Sequence, residues 1–170
     1  MDRLFLTARV LHVCLGVFWA GALIFNAAFL FPAMRDAGPD AAKVAAGLMR
    51  RRFLNILPVV AGLTVLSGFY LYWRASISFG AAYARSPMGM TYGLGAVAAL
   101  AALSLGVGIM RPAMLKSAAL SQAAAGVGPE ERDRALAAAQ ALRARAGAVG
   151  QIVAWLLGAA TVAMAIARYV

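Results

Sequence analysis

His12 is the only histidine of the chain, and it lies inside the first of four long apolar stretches. An ionisable ring in a membrane segment is costly, so it marks a functional site by default. On a helix, positions 12, 16, 19, 23 and 26 form one stripe, because 3.6 residues per turn bring i+4 and i+7 back over i. These positions hold His12, Gly16, Trp19, Leu23 and Asn26. We expect the stripe to face the inside of a helix bundle, because polar groups in a bilayer need protein partners.

The residues around His12 are those that a haem b site requires. Gly16, one turn away, leaves room for a flat ligand beside the imidazole, and Arg9, one turn outward, can pair with haem propionates. We therefore predict a haem b site with His12 as axial ligand, bordered by Arg9, Gly16 and Trp19. The second axial ligand is open: Met88 or Met90 at the start of the third apolar stretch, His12 of a second copy, or none.

Two other interpretations of His12 stand beside haem. With the thioethers of Met88 and Met90, the imidazole would offer soft ligands for copper on the outer side of the membrane. Alternatively, His12 hydrogen-bonds a serine, carbonyl or asparagine and joins two helices, and the chain is a non-catalytic accessory or structural subunit of a larger membrane complex.

Cys14 lies about 200° around a helix from His12, so the two make a poor pair of ligands. As the only cysteine, it excludes an intrachain disulfide.

Composition and hydropathy predict the elements that position His12. Of 170 residues, 64% are hydrophobic and 13% charged, which excludes an ordinary soluble domain. Residues 10–31, 53–72, 88–110 and 149–167 are each long enough to cross about 30 Å of hydrocarbon at 1.5 Å per residue. The first run continues past the length of a signal peptide, so we expect it to be retained. The predicted fold class is all-α: an integral membrane four-helix bundle in a single membrane domain, residues 1–170.

Helix-start signals extend two of the spans beyond the membrane. Gly38-Pro39-Asp40 and Gly128-Pro129-Glu130 each place a proline and an acid in a first helical turn. We expect a cytoplasmic extension over residues 39–52 that runs on unbroken into span 2. A second extension, residues 112–148, forms a cytoplasmic helical hairpin between helices 3 and 4, and helix 4 is one rod of about 60 Å. Pro-Ala-Met ends both odd spans, which hints at a duplicated helical hairpin.

The charge distribution predicts the orientation of the chain. Eleven of the 16 lysines and arginines lie in the segments that follow spans 1 and 3. Positively charged loops stay in the cytoplasm, so both termini are expected on the periplasmic side. Alanine and arginine dominance, with few lysines, is compatible with a bacterial inner-membrane protein. The net charge of +10 is thereby explained without nucleic acid. The expected partners are the lipid bilayer and either further copies of the chain or a larger membrane complex.

The sequence offers few of the residue combinations that catalysis requires. No carboxylate lies in a predicted span, and one histidine without a neighbouring acid builds neither a proton relay nor a catalytic triad. A stand-alone enzyme or pump is therefore not expected.

Two segments resemble a known family. Leu11-His12 followed by Trp19-Ala20-Gly21, and Arg50-Arg51-Arg52-Phe53-Leu54-Asn55-Ile56-Leu57-Pro58 followed by Gly68, resemble the copper resistance protein D family and HemJ-type protoporphyrinogen oxidases. The resemblance implies a four-helix membrane core, haem b on His12, structural roles for Trp19, Gly21 and Pro58, and a link to copper or porphyrin. HemJ-type enzymes have a lysine in the third helix, and span 3 has none. Porphyrinogen oxidation is therefore not expected.

Overall fold

The fold is all-α, as predicted. A computed structural model describes residues 2–38, 41–80 and 82–170, and these residues contain no strand. Short 3₁₀ turns follow α4, α6 and α7, at Tyr83–Arg85, Ala124–Gly126 and Ala167–Tyr169. The α-helices are α1 (Arg3–Phe25), α2 (Phe31–Asp36), α3 (Ala41–Arg50), α4 (Phe53–Phe79), α5 (Pro87–Leu105), α6 (Arg111–Ala123) and α7 (Pro129–Ile166).

Four helical segments of the described chain are long and apolar enough to cross a membrane. They are Arg3–Asp36, Phe53–Phe79, Pro87–Gly126 and Pro129–Tyr169, and each contains one predicted span. Large apolar side chains point outward from them: Val17 is 69% exposed and Leu94 is 68% exposed. An apolar outer surface suits contact with lipid, so length, composition and exposure all agree with a multi-pass membrane protein.

The four long helices form a ring. The first helix, α1, packs against α4 and α7, and α5 packs against the same two helices. The helices α1 and α5 therefore lie diagonally across the bundle. The centre is filled by buried side chains from the four helices, including Trp19, Leu57, Ala102, Val153 and Leu157.

Helix α7 is the longest element and confirms the predicted rod. It runs without a break for 38 residues, which is about 57 Å at 1.5 Å per residue. Its second half lies against α5 so closely that a Cβ added to Gly95 would lie 3.1 Å from Ala163 Cβ. Its first half packs along α6, where Ser117 Oγ donates a hydrogen bond to the carbonyl of Ala139 at 3.0 Å.

The expectation of an unbroken helix from residue 39 into span 2 is wrong. Pro39 and Asp40, the predicted helix start, lie outside the described residues, and α3 ends at Arg50. Arg52 then adopts a left-handed conformation with φ 55° and ψ 27° before α4 begins. Arginine is a good helix former, so local preference gave no sign of this break. The bend allows Leu48 of α3 to lie over the same cavity as Phe53 of α4, so tertiary packing overrides the propensity.

The end of span 1 contains a π-helical turn, Asn26–Leu30, directly before Pro32. The Phe31 N–H donates to the carbonyl of Asn26, five residues back. In this register the Ala27 carbonyl would accept from Pro32, which has no N–H. Gln151 of α7 supplies the missing donor: its Nε2 lies 2.7 Å from the Ala27 oxygen. A side chain from another helix thus completes the backbone hydrogen bonding of span 1.

Span 3 repeats this irregularity. A second π-helical turn, Gly106–Met110, precedes Pro112, and the Arg111 N–H donates to the carbonyl of Gly106. The Pro-Ala-Met motifs are therefore matched by the same backbone feature, which adds to the case for a duplicated hairpin. In this register the Val107 carbonyl would accept from Pro112, which has no N–H. Val107 borders a cavity of about 30 Å³ between α1, α4 and α5, which is large enough for a water molecule.

The Gln151 hydrogen bond predicts a stability effect. Replacing Gln151 by Leu removes the donor to the buried Ala27 carbonyl, and an unsatisfied buried acceptor costs about 1–3 kcal/mol. The free energy of unfolding, measured by SDS titration in mixed micelles, is expected to fall by that amount. Gln140→Leu, at an exposed position of the same helix, is the control and should change it little. Equal effects of the two substitutions would contradict this role for Gln151.

Candidate functional site

His12 lies between α1 and α4, where its ring nitrogen Nδ1 is 2.8 Å from the carbonyl oxygen of Thr64. A carbonyl only accepts hydrogen bonds, so Nδ1 carries a proton in this contact. Ser67 Oγ lies 3.5 Å from the same nitrogen. In the tautomer with its single proton on Nδ1, the other nitrogen, Nε2, holds a lone pair, and no described residue hydrogen-bonds to it. A carbonyl on one nitrogen and a free lone pair on the other is the arrangement found in metal-ligating histidines.

Glycine at position 68 creates the space that the imidazole occupies. A Cβ added to Gly68 would lie 2.8 Å from His12 Cε1 and 3.1 Å from Nδ1. Any larger residue would push the ring out of its place on α4. The sequence pattern included Gly68 only as part of a family resemblance, and the structure assigns it a specific contact.

The space beside Gly16 differs from the sequence-based expectation. A Cβ added to Gly16 would meet the methyl group of Thr64 at 3.5 Å. Thr64 is itself buried, and its hydroxyl donates to the carbonyl of Val60 at 2.8 Å. The gap expected for a flat ligand is thus filled by α4. Any planar ligand of His12 must approach from the partly exposed side of the ring instead.

The rest of the predicted stripe faces inward, as expected. Trp19, Leu23 and Asn26 are all buried, and His12 at the outer end is partly exposed. Trp19 lies in the core of the bundle, so the structure places it as a packing residue below His12. Cys14 is exposed on the outer surface of α1, away from this stripe.

Two arginines mark the end of the bundle at which His12 lies. Arg9, the predicted partner of propionates, is exposed one turn from His12. Arg74 of α4 was not singled out by the sequence pattern. Its Nη2 lies 3.7 Å from Asp2 Oδ2, and its Nε is buried without a hydrogen-bond partner. Arg74 follows Gly68 by six residues, or about 9 Å along α4. The sequence signal that could have singled out Arg74 was a charged residue within a long apolar helix.

An aromatic cluster lies at the same end, between α4 and α5. Tyr83 is 6% exposed, with its ring 5.6 Å from that of Phe79 and 5.5 Å from that of Tyr72. Burial raises the pKa of Tyr83, and the nearby phenols of Tyr92 and Tyr72 raise it further. By packing the neutral phenol of Tyr83, this cluster fixes the connection between α4 and α5.

The predicted copper ligands come from opposite corners of the bundle. Met88 and Met90 lie in the first turn of α5, the helix diagonal to α1, and Met90 is 54% exposed. Within the described ranges there is no group of three or more His, Cys, Asp or Glu residues that could hold a metal ion. His12 contacts Thr64, Ser67 and Gly68 of α4, and a copper site shared with Met88 and Met90 stays a prediction.

No protein-family model, curated protein or solved structure matches the chain. The resemblance to copper resistance protein D and HemJ-type proteins therefore stays a prediction.

The close contact between Gly68 and His12 can be tested by stability. Gly68→Ala is expected to lower the free energy of unfolding by about 1–3 kcal/mol, because the added methyl group overlaps the imidazole. Gly62→Ala is the matched control on α4, since a Cβ there meets nothing within 4 Å. Thermal unfolding of both purified proteins in detergent provides the measurement. If Gly68→Ala is as stable as Gly62→Ala, His12 does not occupy this position.

Proposed function

We propose that the chain is a haem b-binding, redox-linked membrane protein whose axial ligand is Nε2 of His12. The proposal rests on one observation. His12 Nδ1 donates to the Thr64 carbonyl, with 2.8 Å between nitrogen and oxygen, and Nε2 is left without a hydrogen-bond partner. Hydrogen bonding of this kind fixes the tautomer and ring orientation of a ligating histidine and raises its basicity. The donor set fits a single axial ligand. Haem bound there would supply one-electron chemistry.

The surrounding residues have different roles in this proposal. Arg9 and Arg74 supply positive charge at the outer end of the site, where propionates need partners. Gly68 and Thr64 set the position of the imidazole, and Trp19 fixes α1 against the core. Gly16 packs against Thr64 of α4, where an added Cβ would make an ordinary contact at 3.5 Å, rather than opening a slot for the ligand. A second copy's His12 is the second axial ligand that the arrangement favours, because α5 and its methionines lie across the bundle.

A separate observation favours a second candidate function. The Thr64 hydrogen bond and the tight fit against Gly68 account for His12 as a contact between two helices, without any cofactor. In that case the chain is a non-catalytic accessory or structural subunit of a larger membrane complex. Trp155, which is 79% exposed on α7, would then lie at a surface for a partner. Copper handling by His12, Met88 and Met90 has no comparable observation in its favour.

The same proposal includes a location in the bacterial inner membrane with both termini in the periplasm. Its support is the distribution of charge: eleven of the 16 lysines and arginines lie in α2, α3, the α3–α4 junction, α6 and the first half of α7. Arg111 at this end donates to the Leu54 carbonyl at 3.1 Å and to Asn55 Oδ1 at 2.9 Å. The positive-inside rule assigns this end to the cytoplasm. The segment from α6 to the middle of α7 is then the cytoplasmic hairpin.

Haem binding can be tested by absorption spectroscopy of the purified full-length protein. The wild type, produced with haem available, should show a Soret band that shifts on reduction with dithionite. His12→Gly should lose the band, and added imidazole should restore it, because the free base replaces the missing ligand. Cys14→Ala, on the outer face of the same helix, should keep it.

A colourless wild type that is purified together with a defined partner complex would favour the accessory function. A Soret band that persists in His12→Gly without imidazole would place the haem elsewhere and overturn the role of His12.

Orientation is tested by reporter fusions. Alkaline phosphatase fused after Val170 is expected to be active, because the C-terminus lies in the periplasm, where that enzyme folds. The same reporter inserted after Gly126, between α6 and α7, should be inactive. The reverse pattern would overturn the proposed orientation while leaving haem binding untouched.

A further inference from the structure

A second site lies at the basic end of the bundle, far from His12 along α1. A cavity of about 70 Å³ is enclosed by residues of α2, α3, α4, α6 and α7 and by both π-helical turns. Its walls are mostly apolar; Leu30, Met34 and Met110 are among them, and Leu48 of α3 lies over it. Such walls suit an alkyl chain, and only two of the lining residues, Asn26 and Arg143, have an amide or charged side chain.

Asn26 is the first of these polar residues. It is 5% exposed and lines the cavity, and no described residue forms a hydrogen bond with its side-chain amide. Its own backbone is satisfied, because its N–H donates to the carbonyls of Ala22 and Leu23. Buried amides in proteins are almost always hydrogen-bonded. The unpartnered amide therefore points to a ligand that offers a hydrogen-bond acceptor inside the cavity.

Arg143 is the second polar residue, and it lies at the rim of the cavity. One of its nitrogens, Nη2, donates to Ser121 Oγ at 2.7 Å. No carboxylate forms an ion pair with it in the described part of the chain. Arg50, Arg51 and Arg52 lie at the junction of α3 and α4, so the neighbourhood is strongly positive. A guanidinium without an acid in a basic region is suited to a phosphate group.

From these observations we infer that the cavity binds an anionic phospholipid of the surrounding bilayer. The phosphate accepts hydrogen bonds from Arg143, an ester carbonyl accepts from the Asn26 amide, and the adjoining methylenes contact Leu30, Met34 and Met110. A basic pocket between membrane helices is a recognised type of lipid headgroup site. The site does not depend on haem binding and lies at the opposite end of the bundle from His12.

Lipid binding is tested by native mass spectrometry of the intact protein released from detergent. Phosphatidylglycerol is compared with phosphatidylcholine of identical acyl chains. The wild type should retain phosphatidylglycerol preferentially. Arg143→Gln and Asn26→Leu should each weaken its binding about tenfold, as expected for one lost hydrogen bond to a charged or buried group. Inorganic phosphate at millimolar concentration should not displace the lipid, because it lacks an alkyl chain.

Matched variants decide the result. Arg145→Gln removes the same charge from the same helix at a residue that does not line the cavity, so it should leave binding unchanged. Ala45→Phe fills the cavity without altering charge and should also abolish retention; circular dichroism and gel filtration show whether each variant is folded. Equal loss with Arg145→Gln, equal retention of the two lipids, or displacement by phosphate would overturn the inference. So would unchanged binding in folded Asn26→Leu, which would show that the lipid does not use the Asn26 amide.

Discussion

The structure depends on one constraint: in an apolar bilayer, every backbone polar group must find a partner within the protein. Pro32 has no N–H, so one carbonyl of its own helix is left without its backbone donor. A π-helical turn and Gln151 compensate for this loss: the Gln151 amide reaches from α7 to the buried carbonyl of Ala27. This single hydrogen bond joins the first and last membrane helices. The same turn holds Asn26 at the edge of the cavity, so the irregularity also shapes the second site.

The two proposed sites follow from the same constraint at two levels of the first span, since His12 lies within α1 and Asn26 in the π-helical turn that follows it. His12 satisfies one nitrogen on the Thr64 carbonyl and keeps the other free, and Asn26 keeps a whole side-chain amide free. Buried polar groups with unused hydrogen-bonding capacity are costly in an apolar interior. Asn26 is such a group, His12 is partly exposed, and the two proposals assign a ligand to each of them.

Much of the architecture could be predicted because hydropathy and length act locally. The four spans, the continuous rod of α7 and the inward direction of the His12 stripe all follow from apolar runs and helical periodicity. The break at Arg52 could not be predicted, because three consecutive arginines favour a continuing helix and only the packing of α3 over the cavity reverses that preference. The role of Arg74 was also missed, since α4 continues seven residues beyond the predicted end of span 2.

By itself the sequence determined that the chain is helical, where its apolar segments lie, how its charge is divided and that its one histidine lies in an apolar segment. Those properties reside in residue types and their spacing along one helix. Only the tertiary structure decided what His12 contacts, because Thr64 and Gly68 lie more than 50 positions away in the chain. It also decided that α5, which carries Met88 and Met90, lies diagonally to α1. Contacts between helices are set by how four side-chain surfaces fit together, and no single helix contains that information.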